Sequence, residues 1–208
     1  MKTVIMIYTL ILSSIFLFPF AARSVQAAEQ GSAKTAKATF AGGCFWCMEK
    51  PFEGLEGVEA VISGYTAGTG KDPNYENYAA GGHIEAVEVI YDPAKISYDR
   101  LLDVFWRQID PTDPDGQFVD RGHSYTSAIF YHDEQQKEAA EKSKEALASS
   151  NIFKNPIVTP ILAATTFYPA EEYHQDYYRK NPLRYKFYRY GSGRDQFLDK
   201  VWGKDREK

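Results

Sequence analysis

Cysteine is scarce in this 208-residue chain: there are two, Cys44 and Cys47, in the stretch FAGGCFWCMEK. A bridge between them would close a loop too short to remove much entropy from the unfolded chain, which excludes a stabilising staple as their purpose. Histidine is nearly as rare, and its four positions (His83, His123, His132 and His174) lack the ligand spacing of a zinc site. No glycine-rich phosphate loop is present, no internal repeat is found, and nothing marks a second domain. The 24 basic residues are dispersed among 28 acids, and a net charge of −4 gives no reason to expect a nucleic-acid partner.

What the chain does have is aromatic side chains, with 15 Tyr and 13 Phe, enough to line a pocket for a soft or apolar ligand as well as a core. It also has an N-terminal stretch with the form of a secretory signal peptide. Lys2 is followed by a nearly unbroken apolar run from Val4 to Phe20, and Val25-Gln26-Ala27 supplies small residues at a cleavage site. The organisation expected is therefore a signal peptide at 1–27, a disordered lead-in at 28–36, one domain at 37–190 and a polar C-terminal tail at 191–208. Export to the periplasm or the extracellular space follows, or membrane anchoring if the apolar run is not cleaved.

Residue patterns outline the domain. Strands are expected at 37–41, 58–65, 83–93, 127–131 and 157–163, rich in β-branched and aromatic residues. Helices are expected at 44–52, ending near Gly54, at 98–109 behind a Ser97 N-cap, at 133–149 and at 170–179. Two long loops, YTAGTGKDPNYENYAAGG and DPTDPDGQFVDRGHSY, separate them, and loops of that length are often functional. The fold class is α/β (α+β) with one sheet.

Cys44 follows Gly42-Gly43 at the expected start of a helix. There its sulfur would meet unpaired N–H groups at the positive end of the helix dipole, an environment that favours thiolate, the nucleophilic form. Cys47 lies one turn further on, within reach of a disulfide. Paired thiols near a βα unit also suit a thioredoxin-like disulfide oxidoreductase, with Thr159-Pro160 as its proline loop, although Phe45-Trp46 is an unusual dipeptide for that site.

Four motifs in order, GCFWC, HIEAVEVIYDP, DRGHSYTSAIFY and FYPAEEYHQDYY, resemble the A-type peptide-methionine sulfoxide reductases from about residue 40 to 181. The resemblance implies a ferredoxin-like two-layer sandwich with long functional loops, and thiol-dependent reduction of the S epimer of methionine sulfoxide, protein-bound or free. It makes Cys44 the nucleophile and Glu85 the acid that protonates the sulfoxide oxygen. Burial would raise the Glu85 pKa in the required direction; from the strand pattern alone this residue reads as a solvent-facing carboxylate. Asp120 and Tyr125 match residues that hold that oxygen and ordered water. Tyr75 matches a further oxygen donor, with Tyr78 the alternative because the stretch before His83 is shorter than the family's. Phe45 and Trp46 match the walls that receive the substrate methyl group. Attack leaves a sulfenic acid on Cys44. The tail carries no cysteine, which leaves Cys47 as the internal candidate for the resolving thiol with an external thioredoxin-like dithiol restoring the pair, the alternative being direct reduction of Cys44 by an external thiol. No bound cofactor or metal is expected, and the protein is expected to be a monomer.

Overall fold

The computed structural model describes residues 35–206, so the signal segment 1–27 and all but the end of the 28–36 lead-in lie outside the described residues. The described strands are β1 (Ala36–Gly42), β2 (Val58–Thr66), β3 (Ile84–Tyr91), β4 (Gly116–Gln117), β5 (Asp120–Arg121), β6 (Ser127–Tyr131), β7 (Ile161–Ala163) and β8 (Tyr168–Pro169). The helices are α1 (Phe45–Glu53), α2 (Tyr98–Trp106), α3 (Glu134–Ser149), α4 (Tyr177–Lys180), α5 (Pro182–Gly191) and α6 (Arg194–Trp202). Six strands make one sheet in the order β7-β6-β1-β3-β2-β8, while β4 and β5 pair separately.

Strand directions give the topology. β3 runs antiparallel to both β1 and β2, so β1-α1-β2 is a split βαβ unit. β1 runs antiparallel to both β3 and β6, so β3-α2-β6 is a second one. Two interleaved units of this kind form the ferredoxin-like arrangement. α3 then returns the chain to add β7 parallel to β6, and β8 extends the far edge beside β2.

Alternation along the strands sorts side chains between two faces. Ala38, Phe40, Val87, Val89 and Ile129 meet Met48 and Phe52 of α1, Leu101, Leu102 and Phe105 of α2, and Ala140 and Leu147 of α3. Phe40 is central there, stacked at 5.3 Å on Phe52 and 5.1 Å on Phe105. On the other face Ala41, Ile84, Ala86, Ala128 and Phe130 are covered by Ala67, Ala164 and Phe167. Because β3 is central and covered on both sides, nearly all of it is buried, which explains its imperfect polar alternation. Polar caps set the helix starts: Ser97 Oγ accepts from Arg100 N at 3.2 Å, and Asp133 Oδ1 from Gln136 N at 2.8 Å.

Several expected elements change. Ala36 already belongs to β1 rather than to a lead-in. The strand expected at 157–163 covers only Ile161–Ala163, because the N–H groups of Val158 and Thr159 turn to the Pro111 carbonyl. The helix expected at 170–179 is reduced to α4. Gln175 spends its side chain on Ser63 N, Ser63 O and Ala170 O, Glu171 bonds Tyr65 and Tyr75, and Asp176 adopts φ 53°, so side chain–backbone bonds compete with the helix. The polar tail expected at 191–208 is instead α6 and a short 3₁₀ turn at Gly203–Asp205, anchored by buried Arg194 and Leu198. Its principal anchor is an arginine, and composition hid it.

Candidate active site

β1 ends at Gly42, and the chain turns through Gly43 at φ +79° into α1. A Cβ on Gly42 would lie 2.5 Å from Met48 Sδ, and one on Gly43 2.6 Å from Gln117 Cβ, so both glycines are required by close packing. Cys44 is therefore the N-cap of α1, and the Cys47 N–H closes the first turn on the Cys44 carbonyl at 3.0 Å. Both thiols are free, buried and hydrogen-bonded to one another.

A cleft of about 100 Å³ opens at this turn, lined by Cys44, Phe45, Trp46, Tyr75, Glu85, Asp120, Tyr125 and Tyr188. A larger groove of about 940 Å³ runs between α1, α2, α5 and α6, but it contains neither thiol, so the chemistry belongs to the smaller space. Seven of the residues named from the sequence thus share one cleft. Cys47 sits behind it, packed with Tyr177 and Tyr185.

Glu85 reaches the cleft from β3, opposite Tyr65 of β2. Its Oε2 accepts the Phe45 N–H at 3.0 Å, which ties the carboxyl to the residue after the nucleophile. The Tyr78 hydroxyl lies 2.9 Å from Oε1 and 3.1 Å from the Tyr125 hydroxyl. Burial first, with lesser contributions from Asp120 and Cys47, pushes the Glu85 carboxyl up to about 8, although both hydrogen bonds oppose the shift. Glu85 therefore holds a proton at neutral pH.

Asp120, on β5, accepts a bond from the Tyr188 hydroxyl and is raised chiefly by burial, partly offset by Tyr188 and Arg194. Tyr75 lines the mouth, 45 % exposed, with its N–H held by Glu171 at 2.8 Å. Between the two tyrosines left open by the sequence, Tyr75 faces the cleft and Tyr78 contacts the acid. Trp46 is fixed by stacking on Tyr177 at 3.7 Å and by donating Nε1–H to His174 Nδ1 at 3.1 Å.

The thiols differ from expectation. The Cys44 thiol is held well above the ordinary range, first by burial, then by its bond with Cys47 and by the nearby Glu85 and Asp120. Cys47 is drawn down to about 6 by the Cys44 hydrogen bond and by Arg194 and Arg189, against burial. Burial, with Glu85 and Asp120, disfavours charge on Cys44, and the hydrogen bond from Cys44, with the Arg194 and Arg189 guanidiniums, favours it on Cys47. The helix N-terminus alone does not make Cys44 the resting thiolate. Tyr188, Arg189 and Arg194, which sequence reasoning missed, all come from α5 and α6. Two arginines bracketing a Ser-Gly turn were the available signal.

Paired thiols beside a protonated, buried carboxyl and a ring of phenols define a thiol-dependent oxidoreductase. The model of the peptide methionine sulfoxide reductase family matches residues 36–206, and the chain belongs to that family. The peptide methionine sulfoxide reductase MsrA of Listeria monocytogenes serotype 4b is 58 % identical over 168 residues, covering 80 % of this chain and 95 % of that one. The crystal structure of reduced Mxr1 from Saccharomyces cerevisiae superposes with a TM-score of 0.67 at 32 % identity, covering 72 % of this chain and 87 % of that one. Mxr1 in complex with Trx2 gives a TM-score of 0.51 at 26 % identity, covering 73 % of this chain and 91 % of that one.

Proposed function

We propose that the cleft reduces the S epimer of methionine sulfoxide, in oxidised proteins and as the free amino acid, through a sulfenic acid on Cys44. The observation that carries this reading is Glu85: a carboxyl kept protonated by burial, tied to the first residue of α1 beside the nucleophile. An S–O bond breaks poorly when oxygen must depart as oxide, so proton donation at that oxygen is the step the substrate needs from the site.

The substrate methyl group packs against Phe45 and Trp46, and its oxygen turns toward Glu85, Tyr75 and Tyr125, with Asp120 holding water beside them. Cys44 gives up its proton as its sulfur attacks the sulfoxide sulfur, and Glu85 donates to the oxygen. Methionine leaves, and the oxygen remains on Cys44 as a sulfenic acid. Cys47 attacks that sulfur, an S–S bond forms, and the oxygen leaves as water. An external dithiol of the thioredoxin type then reduces the bridge; the solved complex of Mxr1 with Trx2 supports that kind of donor. The enzyme acts as a monomer without a bound cofactor. The signal-like segment at 1–27 supports export, where electrons must be carried across the membrane to the donor.

The test is a single turnover of a methionine sulfoxide peptide without added thiol, by wild type and Cys47→Ser, followed by mass spectrometry of the enzyme and of both epimers. One S-sulfoxide consumed per enzyme, with loss of two hydrogens in wild type and a sulfenic acid in the variant, is the expected result. No consumption by wild type would sink the reading.

A further inference from the structure

Arg194 opens α6 and is the largest fully buried side chain among the described residues, at 1 % exposure. Its Nη1 donates to the Gln108 carbonyl at 2.6 Å and its Nη2 to the Gly42 carbonyl at 2.9 Å. The guanidinium carbon lies 4.6 Å over the Phe118 ring, Met48 Sδ is 3.8 Å from Nη1, and Nε has no acceptor. Among the described residues none of its hydrogen-bond partners is a carboxylate. Arg189, its neighbour on α5, does have one, pairing with Asp195 at 2.8 Å while donating to the Cys47 carbonyl at 3.0 Å.

A guanidinium keeps its charge in a protein interior, and a buried charge is costly unless an anion compensates it. Few groups face the thiol pair that could do so: Glu85 from β3, Asp120 from β5, Tyr185 and Tyr188 from α5, and the two sulfurs on α1. The tyrosines are held protonated and Glu85 is neutral at neutral pH, while Asp120 accepts from the Tyr188 hydroxyl and makes no hydrogen bond to Arg194 among the described residues. The sulfurs remain. Gly43 is part of the same arrangement, since a Cβ there would lie 3.0 Å from Arg194 Nη2.

We propose that Arg194 is a positioning residue of the reductase site: its buried guanidinium is the counter-cation that keeps one negative charge on the reduced Cys44–Cys47 pair and so supplies the thiolate that closes the disulfide. This rests on Cys47 as the resolving thiol. In that step the Cys47 sulfur attacks the Cys44 sulfur, the S–O bond breaks, and the departing hydroxide takes a proton to become water. The disulfide is neutral, so the step strips Arg194 of its counter-ion. The oxidised enzyme then holds a buried cation with one counter-charge fewer, which favours return to the reduced form by the dithiol donor.

The experiment is a pH titration of thiolate ultraviolet absorbance on the reduced full-length protein, wild type against Arg194→Gln, Arg194→Lys and Cys47→Ser. Wild type should show one thiolate well below the ordinary cysteine value of about 8.5, absent from Cys47→Ser. Arg194→Gln should move it up by about one unit, leaving about tenfold less thiolate at any pH below both inflections and slowing bridge closure there by the same factor. Arg194→Lys should keep it low. An unshifted Gln profile, loss of the low inflection in Lys, or a wild type with no thiolate below the ordinary range each overturns the proposal. The wild-type and Lys arms stand if the Gln variant does not fold. The titration involves no turnover, so a wild type that consumes sulfoxide without forming the 44–47 bridge removes the resolving role of Cys47 and leaves the charge assignment to be decided separately.

Discussion

The two sides of the first turn of α1 contrast in charge. On the cleft side Cys44 faces Glu85 and Asp120 together with the phenols of Tyr75, Tyr125 and Tyr188. On the back, Cys47 is covered by Tyr177 and Tyr185, with the guanidiniums of Arg189 and Arg194 beside it. Burial and then the acids in front keep the first sulfur protonated, while the hydrogen bond from Cys44 and then the cations behind draw charge to the second. Two chemically identical thiols three residues apart thereby become different reagents. The same asymmetry keeps Glu85 protonated, since burial and the charges of Asp120 and Cys47 all disfavour its ionised form.

The comparison can be broken most severely at the acid. Glu85→Gln keeps the shape of the cleft and removes its proton donor, and the first-turnover rate should fall by about a hundredfold or more, the scale of a lost general acid. Wild-type single turnover should decline as pH rises through about 8, where Glu85 loses its proton. The same upward shift means that the folded protein retains a proton the unfolded chain releases. Stability associated with Glu85 is thus complete below about 4.5 and lost as pH rises through about 8. Glu85→Gln should flatten that part of the stability profile measured by urea denaturation.

Tyr78→Phe sharpens the contrast within the front side. Its hydroxyl bond opposes the rise of Glu85, so removing it should move the alkaline limb upward and lower the rate by about tenfold, the value of one hydrogen bond to an ionisable partner. Tyr75→Phe touches the cleft but not the acid, so it should lower the rate by less and leave the alkaline limb in place. Equal shifts of the limb in both variants would refute the division between them. The smallest effect lies far from either side: Asp133→Ala removes the cap of α3 and should cost about 1 kcal/mol of stability by thermal unfolding, with turnover unchanged.

Local features were legible where neighbours in sequence do the work. The Gly-Gly turn, the α1 start, the Ser97 cap and the β3 strand all follow from short stretches, and the four motifs carried the family. The 170–179 helix and the tail were misread because their decisive bonds run to distant backbone. Gln175 reaches Ser63, and Arg194 reaches Gly42, a partner more than a hundred residues away.

The sequence by itself determined which groups could react: a thiol at a helix start, a second thiol one turn on, aromatics between them, and a carboxyl in a β-branched strand. Those depend on residue type and on spacing within a few positions. Only the tertiary structure decided in which protonation state each group rests. That depends on burial and on charges brought from β3, β5, α5 and α6 to within a few ångströms of one turn, and sequence spacing does not encode distances between elements so far apart in the chain.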